Sequence, residues 1–197
     1  VLKKPWPGMM IGIHNNPDRY RTTYWARFPG KYFSGDYAVT DRDGYFWILG
    51  RADEVLKIAG HRLGIAELEA AAASHPSIAE AAVVGKTDPV KGESIVVFAR
   101  LKPEFSPSPQ AGQDLINHLR KVIGPIATPE AVYFTTKLPR TRSGKIMRRI
   151  LKAVAENAPI GDISTLEDET AVEEVIKSFR EQSTEQKGNQ ATKIQKV

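Results

Sequence analysis

The sequence predicts an α+β fold, a small domain with a short sheet and flanking helices preceded by a β-rich strip. Three observations predict it. Between Glu54 and Glu156, short apolar runs of strand length alternate with helically spaced apolar residues. That stretch is about 100 residues long, an ordinary domain size. Residues 1 to about 50 instead concentrate aromatics, Gly and Pro, with Trp6, Trp25 and Trp47 among them. The expected division is a strip over 1–52 from the edge of a larger domain, a mobile domain over 53–158, a tail helix over 159–180 and a disordered tail over 181–197.

Within the strip, Lys31–Ser34 and Gly44–Leu49 read as short strands, and Asp41–Gly44 between them as a turn. The strip is too short to bury its three tryptophans well alone. In the domain, Glu54–Ile58 and Ala79–Val84 read as strands, and the Ala- and Glu-rich Ala66–Ser74 as a helix. That helix stops before Pro76, because the residue preceding a proline avoids the helical region. Ile95–Leu101 is a strongly apolar strand, followed by a Pro/Ser loop over Pro103–Pro109. Gln113–Ile123 places Leu115, Ile116, Leu119, Val122 and Ile123 on one helical face. Ala131–Thr135 is a further strand. Ser143–Glu156 reads as a helix with Ile146, Ile150, Leu151 and Val154 inward. In the tail, Ser164 and Glu167 have capping-box spacing, and Leu166, Val172, Val175, Ile176 and Phe179 form a helical stripe. The polar residues 181–197 favour disorder.

Composition narrows the function. The chain has 197 residues, 41% hydrophobic and 26% charged, with a net charge of +5. It has no cysteine, which excludes a disulfide framework, a thiol nucleophile and a cysteine metal site; this fits a cytoplasmic location. No apolar run approaches the roughly 18 residues of a membrane span, so no membrane partner is expected. The start, Val1 to Pro7, has no apolar stretch after its lysines, unlike a signal peptide. It also lacks an initiator Met and reads as the middle of a protein or a non-standard start. Lys137 to Lys152 contains seven basic residues (Lys137, Arg140, Arg142, Lys145, Arg148, Arg149, Lys152) and no acid. Such a run is an electrostatic footprint for an anionic partner. Nucleotides, CoA and nucleic acid all qualify, but no aromatic interleaves the run to stack bases, which argues against nucleic acid.

Two phosphate-loop resemblances fail. Before Gly85-Lys86-Thr87 the required earlier glycine is Glu80, and after Gly144-Lys145 the magnesium-binding hydroxyl is Ile146. The stretch Pro139-Arg140-Thr141-Arg142-Ser143-Gly144-Lys145 reads as a polar, mobile loop entering a helix, with Ser143 as N-cap. That puts Lys145 in a first turn, where the helix dipole disfavours a cation unless an anion is bound there. A solvated basic helix end and an anion site both fit. Gly50-Arg51-Ala52-Asp53-Glu54 and Ile58-Ala59-Gly60-His61-Arg62-Leu63-Gly64 place two arginines near glycines that permit close backbone approach. His61 by itself reads more readily as structural. In Phe33-Ser34-Gly35-Asp36 the carboxylate either grips two hydroxyls, as on a ribose, or simply closes a turn.

These segments together resemble the adenylate-forming enzymes, and within them the acetyl-CoA synthetase branch. The matching segments are Tyr32–Asp36, Asp43–Asp53, Gly60–Gly64, Ile123–Ala127 and Pro139–Leu151, in ungapped spacing, within a similarity running from Pro5 to about Phe179. The Tyr24-Trp25 segment and Trp47 favour the acetyl branch over peptide synthetases and medium-chain ligases. The resemblance implies a two-step acid–thiol ligase. Acetate attacks ATP to give acetyl-AMP, and CoA then displaces AMP, with Mg2+ accompanying ATP. By position it implies that Asp36 binds the ribose, that Arg51 and Arg62 contact ATP or AMP, and that Asp53 is the hinge. Lys145 is the adenylation lysine and a site of reversible acetylation, with a lysine acetyltransferase and deacetylase as partners. CoA contacts fall at Ala59, where the family carries Ser, at Gly60 and at Arg120. A weak metal site maps to Ala73, His75 and Ile78. The N-terminal large domain with its acyl pocket is the missing partner, so acetate and propionate are not separable here and the chain is expected to be inactive alone. The competing reading is a non-catalytic or regulatory basic binding module.

Overall fold

The computed structural model describes residues 1–52 and 54–194. The hinge expected at Asp53 lies outside the described residues, as does the end of the tail expected over 181–197. The chain divides into two compact units, Val1–Glu54 and one beginning at Val55.

The first unit holds helix α1, Pro17–Tyr24, which the sequence reading missed. Its signals are local: Asn16 Oδ1 accepts the Arg19 N–H at 3.1 Å and Pro17 opens the first turn. The hairpin pairs β1, Asp36–Thr40, with β2, Phe46–Arg51. The expected strand over 31–34 is corrected to 36–40. Tyr32 makes only an isolated bridge to Leu2, because its ring is the packing centre of the unit. It stacks on Tyr24 at 5.1 Å and meets the edges of Trp6 and Trp25. The turn at Asp41 forms as expected. One carboxylate oxygen accepts the Asp43 and Tyr45 N–H groups, and the other accepts Trp47 Nε1 at 2.7 Å. Trp47 nevertheless stays exposed, in a run with Tyr45, Phe46, Ile48 and Leu49.

In the second unit, β3, Val55–Ile58, and β4, His61–Gly64, form a tight hairpin, followed by α2, Ile65–Ala73. The long antiparallel pair β5, Ile78–Asp88, and β6, Gly92–Leu101, is the centre of the sheet. Helix α3, Pro109–Val122, starts earlier than the 113 expected, because Ser108 Oγ caps it at the Ala111 N–H and Pro109 opens it. It carries the chain across to β7, Ala131–Phe134, parallel to β6. The strand order is β4-β3-β6-β5, with β7 beside β6.

Strand β6 explains the layering. Ile95, Val97 and Ala99 face one way, packing with Leu68, Ala72, Leu115 and Leu119 of α2 and α3. Val96 and Phe98 face the other way. There they meet α4, Arg148–Ala155, and α5, Thr170–Ile194, through Leu151, Val154 and Val175. A strand covered on both faces reads as a continuous apolar run, as this one does. Val122, expected inward, is 52% exposed.

Two expectations fail at the helix starts. Helix α4 begins at Arg148 with Met147 as its cap, so Ser143 is no N-cap and Lys145 precedes the helix. The Ser164–Glu167 capping box does not form either. Asp168 Oδ1 instead accepts the Thr170 N–H at 2.9 Å, and α5 runs from Thr170 to Ile194, past the expected end at 180.

Candidate functional site

The stretch around Lys145 is a hydrogen-bonded turn rather than a loose loop. Thr141 N donates to the Lys145 carbonyl at 2.9 Å, Gly144 N to the Thr141 carbonyl at 2.8 Å and Met147 N to the Pro139 carbonyl at 2.8 Å. Gly144 takes a φ of +82°, where a side chain is strained. Arg140 Nη1 donates to the Gly144 carbonyl at 2.5 Å. The tail lies along the turn's outer edge, with Arg142 N donating to Thr165 O and Glu167 N to Arg140 O. Lys145 therefore precedes α4 and does not stand in its first turn. What remains is a lysine held at a fixed place by its backbone.

The side chains of the basic run are sorted by the fold. Lys137 pairs with Asp168 at 2.8 Å, Arg140 with Glu80, Arg148 with Glu69 at 2.7 Å and Lys152 with Glu93 at 3.8 Å. Arg149 donates to the Ile160 and Asp162 carbonyls. Arg142 and Lys145 are exposed, and neither side chain has an ion pair or a hydrogen bond among the described residues. Of the seven basic residues, four are thus paired with acids and Arg149 is tied to carbonyls, which leaves Arg142 and Lys145 together on one turn. Because most of the run is neutralised, the structure offers little of the footprint a basic nucleic-acid module needs.

The second group sits on the β3–β4 hairpin. Ala59 and Gly60 are its two loop residues, with φ of +48° and +84°, and Ile58 pairs with His61 across them. Both φ values are positive, as a type I′ two-residue loop requires. Ala59 N donates to the Lys91 carbonyl at 2.9 Å, which fixes the hairpin to the start of β6. Arg62 and His61 are exposed on β4, and Arg120 is exposed in the last turn of α3.

In the first unit, Asp36 and Arg51 are register partners whose side chains meet at 3.5 Å. Arg51 Nη1 also donates to Ser34 O at 3.1 Å. Its guanidinium crosses Gly35 so closely that a Cβ there would lie 2.8 Å from Nη2. The sequence reading gave these two residues separate contacts. The structure makes them one device, in which the arginine orients the carboxylate.

The expected metal residues do not make a side-chain centre. His75 Nδ1 shares a hydrogen with Ser77 Oγ at 2.8 Å, and its ring packs edge-on against His118 at 5.1 Å. Burial and the neighbouring His118 push its pKa down. Ala73 and Ile78 offer only carbonyls. No group of three or more His, Cys, Asp or Glu occurs among the described residues. Gly85-Lys86-Thr87 lie inside β5 and Gly144-Lys145 in the turn, so neither forms a phosphate loop. Among the described residues no helix is long and apolar enough to cross a membrane.

Residues 67–145 match the model of the AMP-binding enzyme C-terminal domain. Over 188 residues, 95% of this chain, the sequence is 58% identical to the acetyl-coenzyme A synthetase of Pyrobaculum arsenaticum. Over 184 residues, 92% of the chain, it is 52% identical to the 3-hydroxypropionyl-coenzyme A synthetase of Sulfurisphaera tokodaii. The chain spans about 28% of the length of these relatives. Among solved structures, the anthranilate CoA ligase AuaEII in complex with anthranoyl-AMP superposes with a TM-score of 0.63 at 31% identity, covering 73% of this chain and 27% of that one.

Proposed function

Because this chain belongs to the family of AMP-binding enzyme C-terminal domains, we propose that it works as the part of an AMP-forming acetyl-CoA synthetase that completes the nucleotide site and then the CoA site. The carrying observation is Lys145, an exposed cation on a backbone-fixed turn whose side chain has no ion pair or hydrogen bond among the described residues, in a run where four of the other six members pair with acids. In-line attack on the α-phosphate of ATP spreads negative charge over phosphoryl oxygens, and a positioned cation stabilises it. Lys145 takes that role. Asp36, oriented by Arg51, accepts the ribose hydroxyls, and Arg62 contacts the nucleotide. CoA then approaches the Ala59–Gly60 turn, where the space around Gly60 is open, and Arg120 meets its phosphates.

The acid is set elsewhere in the protein. The chain is similar both to relatives named for acetate and to relatives named for 3-hydroxypropionate, so the choice among short acids rests on a pocket outside this chain. Mg2+ travels with ATP, and no residue of this chain is assigned to it. Acetylation of Lys145 by a protein acetyltransferase, and its reversal by a deacetylase, would switch the first step, because acetylation removes the charge. The absence of cysteine fits a cytoplasmic enzyme.

The test uses a chimera in which this chain replaces the matching segment of an acetyl-coenzyme A synthetase relative. Lys145→Ala abolishes acetate-dependent pyrophosphate exchange and leaves conversion of supplied acetyl-AMP to acetyl-CoA intact. Survival of both half-reactions overturns the assignment.

A further inference from the structure

We infer that Glu80 and Arg140 are positioning residues for the adenylation step, a clamp that holds the turn carrying Lys145; this rests on the reading of Lys145 above. Arg140 stands on the strand side of the turn and uses both ends of its guanidinium. Nη1 donates to the Gly144 carbonyl at 2.5 Å, the peptide immediately before Lys145, and Nη2 pairs with Glu80 Oε1. Glu80 belongs to β5, where it is the register partner of Arg100, whose Nε lies 3.8 Å from Oε2. The carboxylate is thus held on a rigid sheet by one arginine and holds the turn through another.

The clamp is sheltered. Glu80 and Arg140 side chains are 21% and 34% exposed, and they line a cleft of about 460 Å³ with Lys137, Glu167 and Asp168. The tail completes it, because Glu167 N donates to the Arg140 carbonyl and Thr141 bridges Leu166. Gly144 lets the chain turn at a φ of +82°, and the Arg140 contact fixes the carbonyl of that flexible residue. A lysine that must reach a phosphate oxygen gains little from its charge if its Cα wanders. Misplacement by about 1 Å can cost roughly 100-fold in rate. Glu80 has no cation to lend to substrate, and of the two arginines it pairs with, Arg140 is the one that reaches the turn.

Two measurements test the clamp. In this chain, Glu80→Gln and Arg140→Gln should speed amide hydrogen exchange at Gly144, Lys145 and Met147 by roughly tenfold, while β6 amides keep their protection. In the chimera, both variants should lower the kcat of pyrophosphate exchange roughly 10- to 100-fold. The thioester half-reaction should stay unchanged, Arg140→Lys should restore part of the loss, and Glu80→Gln should add nothing to Lys145→Ala. Exchange and adenylation both within twofold of wild type overturn the clamp. If Lys145→Ala itself leaves adenylation intact, the reading beneath it fails instead. If Lys145→Ala abolishes adenylation while the clamp variants do not slow it, only the clamp falls.

Discussion

Glu69 and Arg148 join helices on opposite faces of the sheet around the open edge of β5. Arg148 Nε and Nη2 meet the two carboxylate oxygens at 2.8 and 2.7 Å, and the same carboxylate accepts the Val83 N–H of β5 at 3.0 Å. At the other edge, the Gln182 amide donates to and accepts from the backbone of Phe134 in β7, at 2.7 and 2.9 Å. Each edge therefore has a side chain bonded to part of its free backbone, which blunts it as a template for aggregation.

The two-pronged pair is half sheltered, with side-chain exposures of 29% and 16%. Hydrogen bonds to charged groups contribute about 1.5–3 kcal/mol. Arg148→Met and Glu69→Gln should each destabilise the chain by about 2 kcal/mol in urea unfolding. The double variant should lose clearly less than the sum, because the residues share one interaction. Additivity within about 0.3 kcal/mol would sink the edge clip.

Acid should loosen the junction between the turn and the tail. The Lys137 ammonium, and then Thr170, hold the Asp168 carboxyl down to about 2 from its ordinary 3.8. A carboxyl depressed on folding stabilises above its unfolded pKa and loses that contribution as pH falls through the folded value. The contribution is therefore complete above about pH 4 and fades toward pH 2. Wild type should outlast Asp168→Asn in urea at pH 6, and the gap should close by pH 2. An equal gap at both pH values would rule out this linkage.

What the sequence made legible was what is local. Ile95–Leu101 and Leu115–Leu119 announce a buried strand and a helix face in their own spacing, and both stand where expected. The start of α4 was misread because Ser143 resembles an N-cap. The residues that override it, Thr165 to Glu167, lie more than 20 positions further on, and their backbone draws the turn away from helix. The basic run looked open for the same reason. Glu69, Glu80 and Glu93, which neutralise it, come from α2, β5 and β6, and only the fold brings them near. Gly60 is legible as a point of close backbone approach, but the positive φ of Ala59 is set by the register of β3 and β4.

That φ carries a prediction of its own. A non-glycine residue in the left-handed region costs roughly 1–2 kcal/mol. Glycine removes that strain and gives back about 0.4–1 kcal/mol in unfolded-chain entropy. Ala59→Gly should therefore stabilise the chain by roughly 0.5–1 kcal/mol, read as a rise in Tm. A lower Tm would mean that the methyl group makes a contact worth more than the strain.

The proposed function separates two cations by the step each serves. Arg120 is exposed at the end of α3, and Lys145 stands on its turn, with no hydrogen bond or ion pair between them. If Arg120 meets a CoA phosphate, removing it costs one charge-assisted contact, about 1.5–3 kcal/mol, or at least roughly tenfold in KM for CoA. In the chimera, Arg120→Ala should raise that KM and leave pyrophosphate exchange untouched, the reverse of Lys145→Ala. Opposite effects exclude general unfolding, because a collapsed domain would lose both half-reactions together. Should Arg120→Ala slow exchange as well, the residue serves the nucleotide, and the CoA phosphates must be met by another cation.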